Sequence, residues 1–492
     1  MYRIQINFPR MAAAAPWRRH VLLGKTSRTI TGLIVLALIP YLIPTLARFR
    51  APIPSNLANL VLGRLAARVT GPASITESVA DTGATDVERE AVDEIANPRI
   101  RVRPGEIEDP SQHALDHFFA SLLESEIRGG QVRVCHYGDS PITNDGITST
   151  IRLRLQQRFG DAGHGFVLID KPWGWYAHAG VAQSATRGWH IEPMFISKGD
   201  HLFGLGGASF TAEAAGVSAT LATSDEPEAP HSASAFEVYY LAQPGGGDLD
   251  VLVDGQPRER LFTSSAETKS GFFKVQCDEA SHEMTLRVVG NGAVRLFGVV
   301  FESRKAGIQY DSLGVNGAFI GLLAHYLDAE HWADQLRHRK PALVIIGYGT
   351  NESQFEKLPM NQYEQDTREA IRRVRAALPG VSIMLLGPMD RGQRGAGGAI
   401  STRPMIPKLV SYQRRIAAET GCAFFDTFSA MGGEGTVARW LETHPKLMGG
   451  DYTHPTAQGA EKVGSLIYDA LVKAYEEYKS ASQTLAAARK EK

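Results

Sequence analysis

The sequence predicts an α/β protein: a parallel sheet covered by helices on both faces, interrupted by an all-β insertion and preceded by a membrane-spanning helix. Three observations carry this reading. The C-terminal part alternates strand-like and helix-like segments, the pattern of a parallel sheet with helical crossovers. Residues 171–305 break that rhythm with short β-type runs separated by Gly, Asp, Asn and Pro clusters, the pattern of a sandwich or jelly roll. The run from Ile30 to Ala47 is apolar and uncharged, about the minimum length that spans a bilayer.

Taken in order, Arg3, Arg10, Arg18, Arg19, Lys25 and Arg28 precede the apolar run, and only Arg48 and Arg50 follow closely. That bias puts the N-terminus in the cytoplasm and the rest outside. No small-x-small cleavage site follows, so residues 1–50 read as an uncleaved anchor. Residues 51–108 show little periodicity, and the stretch TGPASITESVADTGATDVEREAVDEIANP within them is small, polar and acidic, so the segment reads as a stalk. Asp109-Pro110-Ser111 signals a helix start for HALDHFFASLLESEI, and Gly129-Gly130 ends it. QVRVCHYG is a strand, GITSTIRLRLQQRFG a helix and FVLID a short strand. Seven β-type runs then fill 171–305, from HLFGLGGASFTA to AVRLFGVVFES. After them come ALVIIGYG, VSIMLLGP and CAFFDTF as strands, with helices YEQDTREAIRRVRAAL and IPKLVSYQRRIAAET between them. A last helix from about Ala457 aligns Ala460, Val463, Ile467, Leu471 and Ala474 on one face. The expected organisation is anchor 1–50, stalk 51–108, an α/β domain from 109–170 and 306–480, a β-insertion over 171–305, and a polar tail 481–492.

Composition narrows the function. Lys plus Arg number 52 and Asp plus Glu 53, a net charge of −1, without the basic excess of a dedicated nucleic-acid binder. Hydrophobic residues at 43% and charged residues at 21% suit a folded chain rather than a disordered one. Cys135, Cys277 and Cys422 have neither a disulfide framework nor zinc spacing.

Four short segments bear chemistry. In HYGDSPITND, Ser140 follows a strand and precedes a helix, so its hydroxyl projects from the sheet's carboxyl edge. DYTHPTAQG sets Asp451 three residues before His454. A serine hydroxyl needs a base and the base needs an orienting partner, roles that suit His454 and Asp451. GYGTNES puts the side-chain amide of Asn351 at a strand end, a suitable donor to an oxyanion. SLGVNGAF contains Gly317, where a backbone N–H is unobstructed by a side chain, and Gly314 as a second candidate. Each segment alone is a common turn.

Their order, Ser140, Gly317, Asn351, then Asp451 and His454, resembles the block pattern of the SGNH (GDSL-type) hydrolase superfamily over about 131–170 and 308–478. The resemblance implies a flavodoxin-like sheet sandwiched by helices. It also implies Ser140 as nucleophile, His454 as base, and Asp451 as the third member of the triad. The Ser140 N–H, Gly317 and Asn351 would form the oxyanion hole, with no metal or cofactor. Two positions depart from the pattern: Pro141 replaces a common Leu, and Glu352 stands where the third block usually has Asp.

The stretches LGVNGA and MGGEGTVARW, with a β-insertion between the first and second blocks, are similar to peptidoglycan O-acetylesterases. This similarity implies an O-acetylated polysaccharide as substrate and a carbohydrate-binding-like insertion. The expected site is the periplasmic side of a bacterial inner membrane. Trp173, Trp175, Tyr176 and Trp189 are candidates for sugar contact, since aromatic rings bury apolar area while leaving polar edges; a hydrophobic minicore is the other reading of the same group. A polysaccharide O-acetyltransferase with the same triad and a non-catalytic polysaccharide-binding protein are the rival functions.

Overall fold

In the computed structural model, residues 103–490 are described, apart from 196–198, 228 and 396; side chains are described only to 484. The expected anchor at residues 1–50 and nearly all of the expected stalk lie outside this range. Among the described residues no helix is long and apolar enough to cross a membrane.

The chain begins with β1 (Ile107–Glu108), α1 (Asp116–Arg128), β2 (Gln131–Gly138) and α2 (Gly146–Phe159). Then follow β3 (Gly165–Val167), β4 (Val181–Ala185), β5 (His190–Pro193), β6 (Ala208–Ala212), β7 (Ser218–Thr223) and β8 (Ala233–Ala242). β9 (Asp248–Val253), β10 (Gln256–Phe262), β11 (Lys269–Ala280), β12 (Glu283–Val288) and β13 (Val294–Glu302) complete the β-rich stretch. The α/β pattern resumes with β14 (Gly307–Gly314), α3 (Ala329–Arg339), β15 (Leu343–Gly347), α4 (Met360–Ala377) and β16 (Ser382–Leu386). It ends with the hairpin β17 (Gly392–Arg394) and β18 (Ile400–Thr402), α5 (Met405–Thr420), β19 (Ala423–Phe425), α6 (Thr427–Met431), α7 (Thr436–Glu442) and α8 (Ala457–Lys490).

The main sheet runs β1-β19-β16-β15-β2-β14, parallel throughout except for β1 at its edge. Counting only its parallel strands in chain order, this is the flavodoxin-like arrangement 2-1-3-4-5. Both faces are buried, so β15, β16 and β19 are nearly continuous apolar runs rather than alternating ones, while β2 and β14 also carry buried polar residues such as His136, Gln309 and Asp311. Val132, Val134, Leu343, Ile345, Met384 and Phe425 face one side, with Phe118 and Phe119 of α1 and Val463, Ile467 and Leu471 of α8. Cys135, Tyr137, Val344, Ile346, Ile383 and Leu385 face the other, with Leu336 of α3, Ile371 of α4 and Leu409 of α5. The expected face of α8 is the buried one: Ala460, Val463, Ile467 and Leu471 are all at most 3% exposed.

The strands between 181 and 302 form two antiparallel sheets, β10-β9-β12-β7-β4 and β11-β8-β13-β6-β5. All seven expected runs contain strands; β4, β5 and β10 are additional. Their apolar residues join the same core as one face of the parallel sheet.

Two expected boundaries need correction. The stalk was expected to reach 108, yet Ile107 and Glu108 pair with Phe425 and Phe424 at the sheet edge. Glu108 is held there by the Arg414 guanidinium, with Nε 2.8 Å from Oε2. FVLID was expected inside the α/β domain, which would run to 170. Instead Gly165–Val167 pairs antiparallel with Phe301–Val299 of β13. Its apolar run does not reveal a partner, because a strand's neighbour is chosen by long-range register rather than by local pattern. Helix α1 also starts at Asp116 rather than near Asp109, whose carboxylate instead accepts the backbone N–H groups of Ser111 and Ala114.

Candidate active site

Strand order reverses between β14 and β15 on either side of β2, and in open α/β sheets the crevice at such a switch point holds the ligand. Ser140 lies just past the carboxyl end of β2, and Asn351 just past that of β15. Asp451 and His454 arrive from the loop ahead of α8.

These residues meet. His454 Nε2 is 2.7 Å from Ser140 Oγ, and His454 Nδ1 is 2.6 Å from Asp451 Oδ2. The turn that joins them is short: Asp451 Oδ1 accepts the N–H groups of Thr453 and His454, both at 3.0 Å. Tyr452 adopts φ +61° to close it. Asp451 is partly desolvated, which favours its acid form, but hydrogen bonds from the His454 ring and from two backbone N–H groups outweigh this and hold its carboxyl below the usual range. It therefore stays ionised as the partner of the imidazole.

The three groups expected to meet an oxyanion come from three loops. Among the described residues, the backbone N–H groups of Ser140 and Gly317 donate to no acceptor. Asn351 donates one amide N–H to Ala318 O at 2.9 Å, which leaves the other for a ligand. Gly317 sits at φ +76°, and a Cβ there would lie 3.1 Å from the Phe195 ring, so backbone and space both favour glycine. The alternative, Gly314, packs against Ile142 and Thr143, which a Cβ would meet at 2.7–3.0 Å. Its role is to let β14 approach the serine turn.

Two buried carboxyls that the motif reading left without a role tie these loops together. Asp139 accepts Thr350 N–H and Thr350 Oγ–H, each at 3.1 Å. Glu352 Oε1 accepts Ile320 N–H at 2.8 Å, so it clamps the Gly317 turn onto the Asn351 loop. Burial pushes Asp139 up to about 8, with the nearby Glu352 charge adding to it, and pushes Glu352 up to about 7. Arg391 also escaped the sequence reading. Its Nη1 donates to Thr350 O at 2.5 Å and its Nε to Thr453 Oγ1 at 3.1 Å, so it bridges the Asn351 and His454 loops. No local pattern marks an arginine for that task.

The aromatic group separates. Trp173 and Tyr176 are buried, and Tyr176 Oη accepts Leu168 N–H at 2.9 Å. Trp189 packs against the core and donates to Ser218 O at 3.1 Å. These three are the minicore. Trp175 alone is exposed, at 52%, and donates its indole N–H to Thr143 Oγ1 at 3.0 Å, three residues from Ser140. Its loop is fixed to the serine turn by Asp145, which accepts Ala179 N–H at 2.9 Å and pairs with buried Arg152. Phe195 over Gly317 and Phe355 after Asn351 are exposed too. Three of the five exposed large hydrophobic side chains among the described residues therefore ring this site. Behind Asp139 lies a cavity of about 40 Å³, too small for a sugar. Among the described residues no group of acidic, His and Cys side chains is placed to hold a metal ion.

Residues 288–462 match the model of the GDSL-like lipase/acylhydrolase family. The match includes Gly317, Asn351, Asp451 and His454; it begins at Val288, near the end of the β-rich stretch, and so leaves out Ser140. A solved peptidoglycan O-acetylesterase is similar over 75% of this chain and 99% of its own, at 23% identity and a TM-score of 0.64. An active-site mutant of a family two carbohydrate esterase from Clostridium thermocellum is similar over 58% of this chain and 97% of its own, at 13% identity and a TM-score of 0.24. No curated protein matches. The chain carries an SGNH-type α/β hydrolase domain and is a carboxylic ester hydrolase.

Proposed function

We propose that this esterase removes O-acetyl groups from a cell-wall or extracellular polysaccharide, peptidoglycan first, and acts outside the cytoplasmic membrane, tethered by the segment Ile30 to Ala47. The observation that carries the chemistry is the continuous chain from Ser140 Oγ through His454 to Asp451 Oδ2, at 2.7 and 2.6 Å. Ser140 Oγ attacks the acetyl carbonyl while its proton passes to His454 Nε2. The oxyanion that forms is met by the Ser140 and Gly317 N–H groups and the free N–H of Asn351. His454 then returns the proton to the departing sugar oxygen. Water, deprotonated by the same imidazole, attacks the acetyl-serine and releases acetate. Asp451 fixes the imidazole tautomer and stabilises its protonated form.

The substrate class is supported by the likeness to a peptidoglycan O-acetylesterase over nearly all of that protein and by the exposed rings of Trp175, Phe195 and Phe355 around the serine. The antiparallel sheets, joined to the hydrolase through the Trp175 loop, are the proposed glycan-holding part. Acetate release from O-acetylated peptidoglycan, xylan and alginate, measured side by side with Ser140→Ala as control, tests the reading. Peptidoglycan should be turned over fastest; release from xylan alone would move the enzyme to another glycan. An alkaline phosphatase fusion after residue 60 tests the location, because that reporter matures only in an oxidising compartment. An inactive fusion would remove the cell-wall substrate.

A further inference from the structure

The base of the β17–β18 hairpin sets two arginines side by side next to the reacting groups. Arg403 N–H donates to Arg391 O at 2.8 Å, which makes the two residues cross-strand neighbours. Arg391 reaches the loops of Asn351 and His454, yet all its partners are neutral oxygens: Thr350 O, Thr453 Oγ1 and Ser353 Oγ. Arg403 Nε is buried without a hydrogen-bond partner. Among the described residues neither guanidinium has a carboxylate within ion-pair distance. Arg394, on the same hairpin, also ends on a neutral oxygen, Tyr452 Oη at 2.6 Å.

This is unusual within the molecule. Buried or half-buried Arg152, Arg295, Arg339 and Arg414 each have a carboxylate partner; Arg373, the exception, ends on two main-chain carbonyls. A guanidinium taken partly out of water costs free energy unless an anion meets it. The acidic groups near the pair are otherwise engaged. Asp451 is bound to His454, Asp139 to Thr350, and Asp390 to Val437 N–H. Helix α5 starts directly after Arg403, with no acidic residue in its first turn and no side-chain cap, so its dipole adds to the positive potential.

We propose that Arg391 and Arg403 form an anion subsite that holds a carboxylate of the glycan close to the acetyl ester, on the sugar being deacetylated or on its neighbour. The inference rests on the polysaccharide-esterase reading and narrows its substrate to glycans that carry a free carboxylate near the ester, which in peptidoglycan means muramoyl residues without a stem peptide. The planar fork of a guanidinium matches a carboxylate with two parallel hydrogen bonds. The subsite lies next to Thr453 and Thr350, one residue from His454 and from Asn351, so an occupant would be tethered close to the scissile ester.

The test uses inhibition of aryl acetate hydrolysis by two unacetylated sugars, N-acetylmuramic acid and neutral N-acetylglucosamine, with the whole enzyme. The acid should inhibit about tenfold more strongly, an advantage that 0.5 M salt reduces. Arg403→Gln should abolish the preference and leave aryl acetate turnover within about twofold, since that small ester needs no anion contact. Arg403→Lys should retain part of it. Equal inhibition by both sugars, no inhibition by either, or a preference that survives Arg403→Gln would overturn the subsite. Calorimetric titration of both sugars into the Ser140→Ala protein reads the same preference without turnover. A preference seen there, with no acetate released from any glycan, would sink the esterase substrate and leave the subsite standing.

Discussion

In the parallel sheet the strands stop at residues with chemistry: β2 runs into Ser140 and β15 into the Asn351 loop. In the antiparallel sheets the strands stop at turns. The hairpin between β9 and β10 closes on Asp254 and Gly255 with φ of 54° and 72°, a two-residue turn of the kind that matches strand twist. Parallel strands all end at one edge of a sheet, so whatever projects from their ends gathers in one place. Antiparallel strands end alternately at both edges, so their turns scatter. The difference teaches where to seek function: at the shared edge of the first region, and in the second only at segments that reach over to that edge, such as the Trp175 loop.

The largest effect should come from the edge itself. Ser140→Ala should lower kcat/KM for an aryl acetate by at least about 10⁴, because a triad acts as a unit, while the melting temperature holds. Near-full activity would break the assignment and the comparison together. Next is Asn351→Ala, expected to lower kcat by roughly 10²–10³ with a smaller change in KM, since an oxyanion donor acts chiefly in the transition state. A change confined to KM would make Asn351 a binding residue.

The candidate edge was legible in the sequence for the same reason that makes it a candidate. Ser140, Asn351, Asp451 and His454 each follow a strand or precede a helix, and their side chains have no better structural use there. The fold of the parallel sheet was legible because both of its faces are buried, which makes β15, β16 and β19 nearly continuous apolar runs. What stayed hidden depends on distant partners. Nothing local says that Gly165–Val167 joins β13 rather than the parallel sheet, or that Arg391 spans two loops. Trp173 and Trp175 differ by two positions and look alike in sequence; only packing buries one and exposes the other. Glu352, read as a departure from a family pattern, acquires meaning from the backbone N–H of Ile320, 32 residues away.

Glu352 gives the third prediction, in two parts. Glu352→Asp shortens the side chain, should lose Ile320 N–H, and should lower kcat on the aryl acetate about tenfold by loosening the Gly317 turn. Glu352→Gln keeps an acceptor and should retain most activity while changing the pH dependence of stability. The folded protein keeps a proton on Glu352 up to about pH 7, whereas the unfolded chain releases it near the ordinary carboxyl value. Its contribution is full below that lower value and is lost as pH rises to about 7, on the order of 1 kcal/mol per pH unit within the window. The melting temperature of Glu352→Gln should therefore gain on the wild type between pH 5 and 7 and stay level above. A constant difference would mean that Glu352 is ionised in the folded protein throughout.

The smallest expected effect asks how far the second region takes part. Trp175 is on the β-rich side of the serine turn, with its ring in solvent and its N–H already held by Thr143. A ring so placed adds little to the fold, so its apolar face is available to a sugar. Trp175→Ala should lower kcat/KM on acetylated polymer by roughly 3- to 10-fold, the worth of one aromatic contact. Hydrolysis of a small aryl acetate should be spared, because that ester needs only Ser140, His454 and the oxyanion donors. Trp173→Ala is the matched contrast. That ring is buried edge-to-face against Tyr176, with centroids 6.2 Å apart, so its loss should lower the melting temperature and reduce turnover of both substrates alike. If Trp175→Ala also slowed both substrates equally, the loop would be a prop for the serine turn through Thr143, and glycan binding would have to be sought at Phe195 and Phe355 instead.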